Sequence, residues 1–265
     1  MLAYYSVAAA QEFWNDHWGG QTLDELLAIA RRSPLTSLVT GALPANGLVL
    51  EAGCGLGQYV VLLRERGWRA VGVDWSVDAV ATARKTAEAP LAAAELTALP
   101  LRDGAAAAYV SLGVVEHDPS GPDAILAEAR RVLAPGGALV VSTPYVNGIR
   151  RLATPYLRLR ARVAARRGAA FYQFAFTRGE LLAALRRHGF TPRSVHPYDP
   201  ARVVLKALPA AWRRRLRGAV APTTPTATMR ASASRSVKGW VRGLLYTDPA
   251  LRLFGHMVLV VAQRR

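Results

Sequence analysis

The stretch Val49-Leu50-Glu51-Ala52-Gly53-Cys54-Gly55-Leu56-Gly57 limits what this chain can fold into more than any other. An apolar run is cut short by three glycines spaced two apart, and a helical pattern follows from Gln58 to Arg66. The next apolar run, Ala70-Val71-Gly72-Val73, ends in Asp74. Strand, glycine turn, helix, strand and acid, in that order, describe a βαβ unit that holds a nucleoside at the carboxyl ends of its strands. The glycines let the backbone come close to a ligand, because they lack Cβ and tolerate φ > 0. The acid after the second strand can accept both ribose hydroxyl protons. A dinucleotide fingerprint requires G-x-G-x-x-G or -A, and Gln58 stands at its third position. A nicotinamide dehydrogenase is therefore disfavoured.

Four further features follow in order. They are Asp74 within Val71-Gly72-Val73-Asp74-Trp75-Ser76; Glu95 five residues before Pro100; the run Ala108 to Leu112 leading to Glu116-His117; and Glu128 to Val141, with Pro135-Gly136-Gly137 inside it. Together with Glu51-x-Gly53-x-Gly55-x-Gly57 they resemble the motifs of class I S-adenosylmethionine-dependent methyltransferases, of the small-molecule, type 11-like kind. The resemblance covers roughly residues 40 to 198 and the last strand. It implies an α/β, Rossmann-like, doubly wound sheet of seven mostly parallel strands, with an antiparallel last strand and helices on both faces. It implies S-adenosyl-L-methionine as the cofactor. Glu51, Gly53, Gly55 and Gly57 would pass its amino-acid end and Asp74 its ribose, while Glu95 and Leu96 would meet the adenine; Trp75 and Leu112 complete the expected contacts. The family commonly has Asp where Glu95 stands. His117 and Glu116 are the candidate general bases, with Tyr145 and Tyr172 as further candidates on the acceptor side. Alone, each feature has a plain structural explanation, because glycines punctuate turns and acids end strands. What joins them is their common place after successive predicted strands.

The chain has 265 residues, half of them hydrophobic, enough for one large core. Its single cysteine, Cys54, excludes an internal disulfide, and the five scattered histidines show no metal-ligand spacing. The first residues lack a basic and then apolar leader, and no run of 18 apolar residues occurs, so a cytoplasmic enzyme without a transmembrane segment is expected. Charge is divided. Residues 1–150 carry 11 Lys+Arg against 15 Asp+Glu, a net of −4, whereas residues 151–265 carry 23 against 3, a net of +20. An acidic half suits a cationic sulfonium and a basic half suits an anionic partner, although a solvated basic face accounts for the same numbers.

One domain is expected: an N-terminal helical segment (1–39), a cofactor-binding core (40–198 and 256–263) and a basic helical insertion or lid (199–255). Residues 144–176 read as a basic connection. A helix is expected from Arg178 to His188, started by a capping box of Thr177 and Glu180, with strands from Phe190 to His196 and from His256 to Ala262. Within the insertion, Val203–Val220 and Ser236–Phe254 are amphipathic, fitting a lid, core packing or an anionic membrane surface. The expected chemistry is methyl transfer to a small-molecule, sugar- or lipid-linked acceptor, with an anionic one suited to the basic half. The alternatives are an RNA methyltransferase using the basic half and a non-catalytic cofactor-binding scaffold. Against RNA, no Asp/Asn-Pro-Pro-Tyr follows the fourth strand.

Overall fold

The computed structural model describes residues 1–6, 11–87, 89–200, 202–203 and 243–265. A seven-stranded sheet is built from β2 (Leu48–Ala52), β3 (Arg69–Asp74), β4 (Leu91–Ala93), β5 (Ala106–Leu112), β6 (Leu133–Pro144), β8 (Phe190–Tyr198) and β9 (Met257–Arg264). Their order across the sheet is β4-β3-β2-β5-β6-β9-β8. The pairs from β4 through β6 are parallel, and β9 runs antiparallel to both β6 and β8. This is the sheet that the motifs implied.

Side-chain alternation explains why the sheet carries helices on both faces. Leu50, Tyr109, Leu139, Val141, Val258 and Val260 point into one core, against α6 (Asp123–Val132) and α9 (Arg178–Arg187). Their sequence neighbours Val49, Val110, Val140 and Leu259 point into the other, against α3 (Pro34–Thr40), α4 (Gln58–Glu65) and α5 (Val77–Thr86). Helix α9 starts as expected: Thr177 Oγ1 accepts the Glu180 N–H and the Glu180 carboxylate accepts the Thr177 N–H.

Two expectations are corrected. Residues 1–39 are not all helical: before α1 (Gln11–Gly19) and α2 (Leu23–Arg32) comes a strand, β1 (Leu2–Ser6). It pairs antiparallel with β7 (Ala170–Ala175) in a separate two-stranded sheet, a long-range pairing that local periodicity does not reveal. The basic connection after residue 144 is ordered into α7 (Gly148–Leu152), α8 (Thr154–Arg166) and β7. Pro135-Gly136-Gly137 lies in a bulge of β6. Helix α6 ends at Val132, and four residues of β6 swing out between the pairs Ala106–Leu133 and Ala108–Ala138, with Gly136 at φ +74°. Of the basic insertion, the described part includes a short helix, α10 (Asp248–Phe254); the amphipathic stretch Val203–Val220 lies almost wholly outside the described residues.

Candidate active site

The strand order reverses between β2 and β5, and a crevice opens there at the carboxyl ends of the strands. A cavity of about 800 Å³ occupies it. Its lining is drawn from several elements. Glu51 and Gly53 follow from β2, Asp74 and Trp75 from β3, Glu95 and Leu96 from the loop after β4. Leu112, Glu116 and His117 come from β5 and the 3-10 turn after it, Val115–His117. The lining also takes Tyr4 from β1, Tyr172 from β7, Arg150 from α7, and His256 with Met257 from the start of β9.

The glycine turn is fixed by its neighbours. Gly53 N–H and Cys54 N–H both donate to Val73 O, at 2.7 and 3.1 Å, which ties the turn to β3. Gly53 has φ +80°, and a Cβ there would lie 2.4 Å from Val114. Gly55 has φ +54°, and its Cβ would lie 2.5 Å from the Trp18 ring. Both positions therefore exclude a side chain twice over, by backbone conformation and by space. Gly55 N–H donates to Asp74 Oδ2 at 2.7 Å. Gly57 opens α4 and faces Leu91 in the core. Of the three glycines, Gly53 lines the cavity, whereas Gly55 and Gly57 shape the turn beneath it.

Three buried acids line the cavity. Asp74 is buried, with Oδ1 accepting the Ser76 N–H at 2.9 Å, and burial raises its pKa. Glu51 is buried with Oε2 lacking a hydrogen-bond partner among the described residues; burial, and then the Asp74 charge, push its pKa well up. Glu116 is buried with Oε2 likewise unpartnered, and burial pushes its pKa up to about 8. Such carboxyls are costly to ionise unless a cation meets them. Glu95 is exposed at the rim, while Leu96 is buried.

His117 is set by its partners. Its Nδ1 lies 2.8 Å from Tyr172 O, and a carbonyl only accepts, so Nδ1 carries the proton. In the neutral ring Nε2 then holds the lone pair. Burial lowers the pKa of this ring, which keeps it neutral at pH 7. The ring meets Trp14 edge-on at 4.9 Å and Tyr172 at 5.2 Å. Thus α1 closes over the cavity with Trp14 above His117 and Trp18 above Gly55. Tyr145 stays in the core and is not part of the lining.

Tyr4, Arg150 and His256 escaped the sequence reading. Arg150 donates to Tyr145 O at 2.6 Å, to His256 O at 3.3 Å and to His256 Nδ1 at 2.8 Å, so that nitrogen is an acceptor. Burial lowers its pKa, and it forms no ion pair with a carboxylate among the described residues. The only sequence signal was its place at the head of a basic run.

Residues 50–141 match the family model described as a methyltransferase domain. This segment is similar to the methyltransferase domains of the S-adenosylmethionine-dependent kind. Over 97 residues it is 36% identical to a probable S-adenosylmethionine-dependent methyltransferase of Mycolicibacterium smegmatis, covering 36% of this chain and 37% of that protein. Over 100 residues it is 37% identical to the demethylmenaquinone methyltransferase of Thermus thermophilus, covering 35% and 45%. The matches thus span less than half the length of these relatives. Among solved structures, a possible histamine N-methyltransferase of Thermotoga maritima superposes with a TM-score of 0.55 at 17% identity, over 96% of this chain and 97% of that one. A geranyl diphosphate C-methyltransferase of Streptomyces coelicolor superposes with 0.51 at 18% identity, over 84% and 74%. At these identities the structures speak for the fold of the methyltransferase domain.

Proposed function

We propose that this chain transfers a methyl group from S-adenosylmethionine to a small anionic acceptor. The observation that carries the reading is the make-up of the cavity lining, with the buried acids Glu51 and Asp74 at the ends of β2 and β3 and the Arg150 guanidinium from α7, after β6. The unpartnered carboxyl oxygens fit a cofactor that is cationic at its ammonium and sulfonium groups. Glu51 and the Gly53 backbone would hold its amino-acid end, Asp74 its ribose hydroxyls and Leu96 one face of its adenine. The cofactor supplies a methyl group already activated for displacement, which leaves the protein to position the reactants and exclude water.

Trp14 and Trp18 supply the water exclusion from above. His117 Nε2 is the acceptor for a proton when the methylated atom must lose one, as in an alcohol. An amine or ionised oxygen needs no such help. Arg150 has five N–H donors, and three of its hydrogen bonds are accounted for within the fold, so its fork keeps capacity for a carboxylate or phosphate. The neighbour solved with geranyl diphosphate supports the idea that this fold can take such an acceptor.

The test uses methyl-labelled S-adenosylmethionine offered with fractionated bacterial metabolites and with total RNA. Label should enter an anionic small-molecule fraction, and Arg150→Gln should cut that incorporation at least tenfold, with the melting temperature recorded as a fold control. Label in RNA instead would overturn the acceptor class.

A further inference from the structure

Helix α8 has two apolar stripes, and only one of them is used by the fold. Ala153, Thr154, Leu157, Ala161 and Ala164 recur at helical spacing and are half-buried, and Leu157 packs on the small cluster of Leu2, Val146 and Ala175 beneath it. On the outward side stand Tyr156 at 60% exposure, Leu159 at 59% and Val163 at 38%. Steps of three and four residues put these side chains in one row, since neighbours on a helix surface are three and four apart. Leu152 at 83% and Ile149 at 40%, both exposed on the preceding α7, add to this apolar surface. An amphipathic helix normally turns one stripe inward and leaves the other side polar. A second exposed row of large apolar groups calls for a partner.

The charge around the row says which partner. Arg151, Arg158, Arg160, Arg162, Arg166 and Arg167 are all exposed, and none forms an ion pair among the described residues. From Ala129 to Gly179 the sequence holds no Asp or Glu. At about 1.5 Å per residue the 13 residues of α8 form a rod about 20 Å long, apolar along its crest and cationic along its flanks. That is the design of a helix lying in a membrane interface, with leucines below the headgroups and arginines among the phosphates. A protein partner would leave the arginines needing a matching acidic face. RNA would leave Leu152 and Leu159 with nothing apolar to cover them.

We infer that the α7–α8 face docks on an anionic lipid surface. Its position gives the contact a use. Arg150 of α7 lines the cavity, and α8 packs on β1, whose Tyr4 forms part of the same lining. The docked face therefore adjoins the cavity. The inference does not depend on the methyl-transfer reading.

The experiment is co-sedimentation of the full chain with phosphatidylglycerol vesicles and with phosphatidylcholine vesicles. The chain should pellet with the first and remain in solution with the second. Leu152→Glu combined with Leu159→Glu should lower the partition coefficient at least tenfold, and these exposed sites should leave the circular-dichroism melt unchanged. Arg160→Gln with Arg166→Gln, which keeps the apolar row, should also weaken binding. No pelleting with phosphatidylglycerol would overturn the inference. So would pelleting that the leucine variant leaves intact, since the other basic segments would then account for it. Binding of an RNA oligonucleotide without any vesicle binding would assign the arginines to a different partner and overturn it as well.

Discussion

Asp74→Ala is expected to raise the dissociation constant for S-adenosylmethionine at least tenfold. Asp74 ends β3 with a buried carboxylate, and each of its oxygens already accepts one backbone N–H, from Gly55 at 2.7 Å and from Ser76 at 2.9 Å. Each oxygen keeps a further acceptor site, and the residue lines the cavity. A hydrogen bond to a charged group contributes about 1.5–3 kcal/mol, so losing even one costs about tenfold in binding. The same carboxylate shapes the glycine turn. Alanine would strand two buried N–H groups at about 1–3 kcal/mol each, and the variant should melt at a lower temperature. Asp74→Asn separates the two effects, because the amide keeps the size and one acceptor oxygen. It should recover much of the stability while still binding the cofactor more weakly. Unchanged affinity in the alanine variant would remove Asp74 from the site.

Glu116→Gln should flatten the pH dependence of stability in the ligand-free protein. Burial raises the Glu116 carboxyl from its ordinary 4.5 to about 8. Between those values the folded protein holds the proton and the unfolded chain does not. Raising the pH therefore favours unfolding: the contribution is complete below about 4.5 and lost once pH passes about 8. At about 1.4 kcal/mol per pH unit, the whole range is worth on the order of 5 kcal/mol. Glu51 and Asp74 are raised by burial too and act in the same direction, so the variant keeps a residual slope. His117, lowered by burial, adds stability as pH rises, but only below its ordinary 6.5, which leaves pH 6.5 to 8 as the cleaner window. Melting temperatures at those two pH values are the measurement. The wild type should lose several degrees more than Glu116→Gln, and the variant should be the more stable protein at pH 8. Equal losses would mean that Glu116 is ionised or solvated across this range.

The sheet was legible because its signals are local. The continuous apolar runs of β2, β3, β5, β6 and β9, the glycines at positive φ and the Thr177 cap each sit within a few residues of sequence. The same locality reveals why Glu51, Asp74, Leu96, Glu116 and His117 share one cavity, since each follows a strand of the parallel sheet. What stayed hidden depends on distant partners. Leu2–Ser6 is a strand only because Ala170–Ala175 lies beside it. Arg150 reads as one arginine in a basic run until β9 places His256 against it. Gly55 looked like a ligand contact, but Trp18, far back in the chain, occupies the space next to it. No spacing rule encodes such a meeting.

Calorimetric titration of S-adenosylmethionine, its demethylated product and NAD into the purified chain tests the central claim most directly. The account predicts micromolar binding of the first two and none of NAD. Absence of binding by both sulfur compounds would contradict it, whatever the fold.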